Sequence, residues 1–203
     1  MMIEDYIDFV KYSLRHPILG LKLFLNVAIL KRDYIKVKNI NLYKGTFYYF
    51  MKEYISFKDI EKIISPDEYI VNIKNLGKFY IKNRLVILLI KQLFDYDILN
   101  VQDKVVLDIG AYVGDSAIYF IRRGAKKVYT YEAVKETYNI LIKNIELNNL
   151  KDKIIPINKG IDCNKGENYI NLSYGSTGLE IGNEKIETIS IKDVFEEIYN
   201  KEG

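Results

Sequence analysis

The sequence predicts an α/β fold built on a Rossmann-like parallel sheet, with a helical and hairpin extension in front of it. Three observations carry this. The stretch Val105-Val106-Leu107-Asp108-Ile109-Gly110-Ala111-Tyr112-Val113-Gly114-Asp115 is a short β-branched run that ends in an acid and passes through two glycines into an amphipathic segment. That is the pattern of a buried parallel strand, a tight turn and the first turn of a helix. Lys127-Val128-Tyr129-Thr130-Tyr131-Glu132 supplies a second strand ending in a carboxylate, about 20 residues further on. From Lys104 onward strand-like and helix-like segments alternate, which argues for parallel strands joined by right-handed crossovers.

Taken in order, residues 3–15 and 17–32 read as two helices, divided at His16-Pro17 because proline restricts the residue before it. Asn39 to Tyr54 is aromatic and irregular. Ser56 to Ile64 reads as a short helix, with Ser56 as its N-cap and Asp59 near its positive end. Tyr69–Ile73 and Lys78–Ile81 flank Asn75-Leu76-Gly77, a hairpin signal with glycine available for positive φ. Leu85 to Phe94 follows as an apolar helix. The division expected is a mainly helical extension over residues 1–67 and an α/β domain over 68–203, the latter opening on the hairpin.

Within that domain, strand Val105–Ile109 leads to a helix from about Asp115 to Arg123, ended by Gly124. Strand Lys127–Tyr131 leads to a helix from Lys135 to Glu146, closed by Asn148-Asn149. Lys153–Ile157 is the third strand. Glu167–Ser173 and Lys185–Ile189 are further strands joined across Gly175-Ser176-Thr177-Gly178, and Ser190 caps a last helix running to about Tyr199.

Composition bounds the function. With 203 residues the chain can bury one α/β core plus an extension. A net charge of +3, with Lys and Glu interleaved, reads as a solvated mixed-charge surface, and no nucleic-acid partner is expected. The 18 tyrosines lie mostly in strand-like or amphipathic runs and read as structural. A single cysteine, Cys163, excludes an internal disulfide and reads as a small buried residue rather than a nucleophile. A single histidine, His16, argues against a zinc site or a Ser-His-Asp triad. The cysteine usage suits a reduced, cytoplasmic setting. No segment reaches the roughly 18–20 apolar residues of a membrane span. Ile18 to Leu30, margined by Lys11, Arg15, Lys22, Lys31 and Arg32, reads as a helix packed on the domain, with peripheral membrane contact as the less favoured alternative.

The two-glycine turn constrains the ligand. Dinucleotide sites use G-x-G-x-x-G, whose second glycine lets a pyrophosphate approach the backbone. Tyr112 stands at that position, and the spacing is Gly110-x-x-x-Gly114, so NAD and FAD are disfavoured. A cofactor that uses such a turn and brings no phosphate is S-adenosylmethionine. Its amino-acid end would lie on the backbone around Gly110 and Ala111, near Asp108. Asp115 is either an N-cap or a second contact to that end. The ribose hydroxyls would reach Glu132. A carboxylate bonding a ribose diol contributes about 1.5–3 kcal/mol, so Glu132→Ala is expected to weaken binding roughly 10- to 150-fold.

Val106 to Ala117 resembles motif I of the FkbM-type S-adenosylmethionine-dependent methyltransferases. Arg123-Gly124-Ala125-Lys126-Lys127-Val128, Tyr131-Glu132-Ala133-Val134 and Asn144-Ile145-Glu146-Leu147-Asn148-Asn149 continue the likeness, which runs from about Asn72 to Val194. The resemblance implies an incomplete class I methyltransferase sheet and an enzyme that methylates oxygen in a sugar or other small metabolite, a small-molecule or glycan acceptor. It also places Gly160 and Ile161, just past the third strand, at the adenine edge. A fourth parallel strand bearing an acidic Asp-x-Glu-Gly element is implied after the last helix, where the sequence reads Asn200-Lys201-Glu202-Gly203. The chain is therefore expected to carry the cofactor half with the acceptor half missing and the catalytic residues unassigned. The outer edge of Val105–Ile109 would then be open to a second copy, a partner chain or the N-terminal elements. The alternative is a catalytically inactive module that keeps the cofactor fold for partner contacts.

Overall fold

A computed structural model of the chain describes residues 11, 14–18, 21, 34–37, 39–43, 58–82, 94–172 and 182–202. Contacts divide it into two compact units, Met1–Lys74 with Lys78–Leu88, and Asn75–Gly77 with Leu89–Gly203. The expected helices over 3–15 and 17–32 lie almost wholly outside the described residues, as do the helix Leu85–Phe94 and the turn Gly175–Gly178.

Among the described residues from Tyr34 on, the regular elements of the first unit are strands. β1 (Tyr34–Val37) and β2 (Ile40–Tyr43) pair antiparallel, with Asn39 at φ 68° in the tight turn between them. This hairpin occupies part of the stretch expected to be irregular. β3 (Ile60–Ser65), β4 (Glu68–Ile73) and β5 (Gly77–Lys82) form a three-stranded sheet in that order. The helix expected over Ser56–Ile64 is thus replaced by β3. The local sequence places Ile60, Ile63 and Ile64 at helix-like spacing, but β-branched side chains suit a pleated surface. Antiparallel pairing with β4, at Ile60↔Val71 and Ile63↔Tyr69, decides the outcome. β4 and β5 carry the core of the unit, with Tyr69, Val71, Phe79 and Ile81 buried. The β4–β5 hairpin forms where the sequence places it, and Asn75 (φ 65°) joins Gly77 (φ 128°) in positive φ.

The second unit contains the parallel α/β arrangement. Phe94–Ile98 is a short 3-10 helix. β6 (Val105–Ile109), β7 (Lys127–Tyr131) and β8 (Ile154–Ile157) are parallel, ordered β6-β7-β8. α1 (Asp115–Arg122) and α2 (Lys135–Leu147) make the crossovers. Gly124 at φ 92° ends α1, where an L residue would be strained. Successive strand residues point to opposite faces. On one face Val105, Leu107, Tyr129, Tyr131, Ile155 and Ile157 form a cluster with Val194 and Ile198 of α3 (Ile191–Glu202). The opposite face carries Val128 and Ile154, both fully buried, together with Asp108 and Thr130. Ser190 caps α3 by accepting from Asp193 N at 3.1 Å, as the sequence reads.

A second sheet follows, ordered β10-β11-β9. β10 (Gly166–Leu172) and β11 (Gly182–Ser190) are antiparallel, and β11 runs parallel to β9 (Gly160–Asp162). The chain is therefore an α/β protein with an incomplete Rossmann-like sheet. Among the described residues no strand pairs with the outer side of β6, and Ile109 at its end is 50% exposed. Cys163 is exposed rather than buried. It falls in the β9–β10 turn, where its amide donates to Asp162 Oδ1 at 2.6 Å and the side chain has no core to enter.

Candidate functional site

The site grows from the carboxyl ends of β6 and β7, where open α/β sheets bind ligands. The turn leaving β6 has three residues in the left-handed region: Gly110 (φ 79°), Tyr112 (φ 51°) and Gly114 (φ 85°). It is stitched to its surroundings at every step. Gly110 N and Ala111 N both donate to Tyr131 O, at 2.9 and 3.0 Å, and Gly114 N donates to Ala111 O at 2.8 Å. Tyr112 N donates to Glu132 Oε2 at 2.8 Å, and Asn144 Nδ2 of α2 donates to Val113 O at 2.8 Å. Bonds from a buried amide and carboxylate hold a non-glycine residue in a conformation that costs roughly 1–2 kcal/mol.

The two glycines serve different ends. A methyl group on Gly114 would sit 3.2 Å from Leu141 Cγ, so this glycine lets α1 pack against α2. Among the described residues, a methyl group on Gly110 would meet nothing within 4 Å. The space over the backbone at Gly110 is open to a ligand.

Three carboxylates surround this turn, each with a different environment. Asp108 lies opposite Thr130 in the parallel register. Its Oδ2 accepts from Ser116 Oγ at 2.8 Å and from Thr130 Oγ1 at 3.1 Å. Burial pushes its pKa above the usual carboxylate range, and these two hydroxyls draw it partly back. Asp115 is 0% exposed, and among the described residues neither of its carboxylate oxygens has a well-aligned hydrogen-bond donor. Burial lifts its pKa to about 7; the adjacent Asp108 charge adds to the rise, while the amides of Asp115 and Ser116 oppose it. Glu132 is buried and satisfied: Oε1 accepts from Val134 N at 2.9 Å and Thr137 Oγ1 at 2.8 Å, and Oε2 from Tyr112 N. Burial raises its pKa and the charge of Glu184 adds to this, against the three donors.

These environments sort the sequence-derived candidates. Asp108, Gly110, Ala111, Gly114, Asp115 and Glu132 converge on one turn. Of the two roles open to Asp115, the N-cap is filled by Gly114, which makes no side-chain cap bond. Glu132 closes the first turn of α2 and anchors the Tyr112 amide. A carboxylate oxygen accepts about two hydrogen bonds, which leaves Oε2 one direction for a ligand hydroxyl. Gly160 and Ile161 lie in β9, paired with Thr188 and Ile189. A methyl group on Gly160 would come within 2.9 Å of Ile186 Cδ1, and Ile161 packs into the cluster beneath α3. Both residues therefore have a structural reason of their own.

Four polar residues escaped the sequence reading: Ser116, Thr130, Thr137 and Asn144. Thr130 was findable, because aligning the two strands at their acidic ends sets it opposite Asp108. Thr137 follows an acid at a spacing that suits helix capping. Nothing local singled out Asn144, whose amide reaches the turn across 31 residues.

No family model and no curated protein matches the sequence. Among solved structures, it is similar to M. jannaschii TYW2 in complex with AdoMet, with 25% identity and a TM-score of 0.40, covering 45% of this chain and 43% of that one. It is similar to aTrm5 in complex with tRNALeu, with 29% identity and a TM-score of 0.37, covering 45% and 27%. It is also similar to protein arginine methyltransferase 10 of Arabidopsis thaliana, with 34% identity and a TM-score of 0.28, covering 29% and 16%. The match thus spans less than half of each of these proteins.

Proposed function

We propose that this chain carries the cofactor-binding half of an S-adenosylmethionine-dependent methyltransferase of the class I type. The observation that carries this reading is the turn Gly110–Gly114, open over Gly110 and ringed by Asp108, Asp115 and Glu132. Three acids with no described lysine or arginine paired to them would repel a pyrophosphate and suit a ligand with a cationic end. Tyr112 at the second-glycine position also argues against a dinucleotide.

When bound, S-adenosylmethionine supplies an electrophilic methyl group on a sulfonium. The chain's own residues hold and orient it. Asp108 and Asp115 would attract the amino-acid end, the Gly110 backbone would admit it, and the remaining acceptor direction of Glu132 Oε2 would take one ribose hydroxyl. Methyl transfer depends chiefly on alignment, which a stiff, multiply bonded turn supplies. We extend the proposal to the FkbM-type family and to a hydroxyl of a sugar or small metabolite as acceptor, on the motif likeness around Val106–Ala117. The acceptor walls would come from outside the described residues, and the open edge of β6 is where a partner strand or second copy would join. The expected division of the chain near residue 67 and a cytoplasmic setting belong to the same proposal.

Calorimetric titration with S-adenosylhomocysteine, beside NAD, tests the reading. Micromolar binding of the first and none of the second is expected. Binding of NAD alone would replace the methyltransferase reading with a nicotinamide one. A second reading, a binding module that no longer uses the cofactor, is favoured by one observation: the Glu132 carboxylate is already held by three protein donors. A folded chain that binds neither ligand would select it.

A further inference from the structure

Asp115 is the one group at the turn that the fold leaves without a counterpart. Its carboxylate is fully buried, among the described residues neither oxygen has a well-aligned donor, the amides of Asp115 and Ser116 offset burial only in part, and the charged group that acts on it is the half-buried Asp108 of β6. Among the described residues, the other elements around the turn bring no compensating cation. β7 contributes the neutral Thr130, whose hydroxyl is given to Asp108. α1 contributes Ser116, likewise given to Asp108. Glu132, at the end of β7, is engaged by Tyr112, Val134 and Thr137, and the charge acting on it is that of Glu184. α2 contributes Thr137 and Asn144, both turned to other partners. Two adjacent carboxylates withdrawn from water, with no cation among the described residues, cannot both ionise cheaply, so at mildly acidic pH one proton stays with the pair.

We propose that at mildly acidic pH Asp108 and Asp115 hold a single negative charge in the ligand-free protein, and that an aliphatic ammonium displaces the proton of Asp115. This rests on the cofactor reading above, with the ammonium being the amino end of S-adenosylmethionine or its demethylated product. The balance is simple. Protonated Asp115 plus the ammonium gives a carboxylate–ammonium contact and one proton released to solvent. Asp115 is thereby a specificity-determining residue: it rewards a cationic ligand end and makes affinity rise with pH. Below pH 7 the proton must be removed at the cost of about tenfold in affinity per pH unit, and above it affinity levels off.

The test is titration calorimetry with S-adenosylhomocysteine at pH 6.0 and 8.5, in paired buffers of different ionisation enthalpy. About one proton released at pH 6.0 and almost none at pH 8.5 is expected. 5′-Methylthioadenosine, which lacks the amino-acid end, is expected to bind without release. Asp115→Asn, an isostere of the protonated acid, is expected to abolish both the release and the pH dependence. If S-adenosylhomocysteine binds with no buffer-dependent heat, the inference falls and the cofactor reading stands. If it does not bind at all, both fall. A carboxyl-carbon NMR titration of the ligand-free protein is an independent check, since an Asp115 midpoint near 4 would overturn the inference whatever the ligand does.

Discussion

Two acids flank the same turn, Glu132 at the end of β7 and Asp115 at the start of α1, yet the fold treats them in opposite ways. Glu132 accepts three hydrogen bonds and ties the turn to the start of α2. Asp115, at the start of α1, accepts none and sits beside a second acid. A buried carboxylate with donors stabilises the structure around it, whereas one without them costs stability and is kept where a ligand can compensate. The β7 end of the turn is therefore rigidly held, and the start of α1 is where the proposed ligand would be felt.

Mutations at each end should separate these roles. Glu132→Ala carries the largest expected effect. It takes the acceptor from the buried Val134 amide and the Tyr112 amide, while the Thr137 hydroxyl keeps Val134 O, a loss of about 3–5 kcal/mol in urea unfolding. If stability is unchanged and only cofactor affinity falls, Glu132 is a ligand group rather than an anchor, and the contrast dissolves.

Asp115→Asn should act in the other direction. The folded-state pKa of Asp115 lies near 7, above its ordinary 3.8. The folded protein therefore holds a proton that the unfolded chain has lost between those values, and stability from this group falls as pH rises through that window. Removing the charge should stabilise the protein by about 1–4 kcal/mol at pH 8 and by almost nothing near pH 3.5, measured by unfolding at both. Equal effects at the two pH values would break the argument.

The glycines give a smaller, internal version of the same comparison. Gly114→Ala should cost about 2 kcal/mol, from positive φ and the approach to Leu141. Gly110→Ala should cost about 1 kcal/mol, from φ alone, while weakening cofactor binding more than Gly114→Ala does for its loss of stability. Thr137→Val should be the mildest, at about 1 kcal/mol, since Glu132 keeps its two amide donors. Thermal melts beside S-adenosylhomocysteine titrations would rank all five variants.

Where local pattern and tertiary pairing agreed, the sequence was a good guide. β6, β7 and β8 are short β-branched runs bounded by turns, and α1 and α2 end at Gly124 and Asn148-Asn149 as their stop signals indicate. The Ser56–Ile64 segment misled because its isoleucines fit helix spacing equally well, and only the partner strand β4 settles the matter. β9 was too short to see, and its Gly160 reads as a loop glycine until Ile186 is placed against it. Cys163 looked like a core residue because its exposure depends on a turn of three residues.

The sequence by itself determined the α/β class, the parallel strand order's alternating period, the two-glycine turn and the acids that surround it. These depend on side-chain periodicity and on glycine's access to positive φ, both local properties. Tertiary structure alone decided which acid is satisfied. Hydrogen-bond partners such as Thr130 for Asp108 and Tyr112 for Glu132 come from strand register and turn closure over about 20 residues. Asp115 is left without a well-aligned donor only by the way the folded chain buries it, and a charge's cost depends on burial, which no residue carries alone.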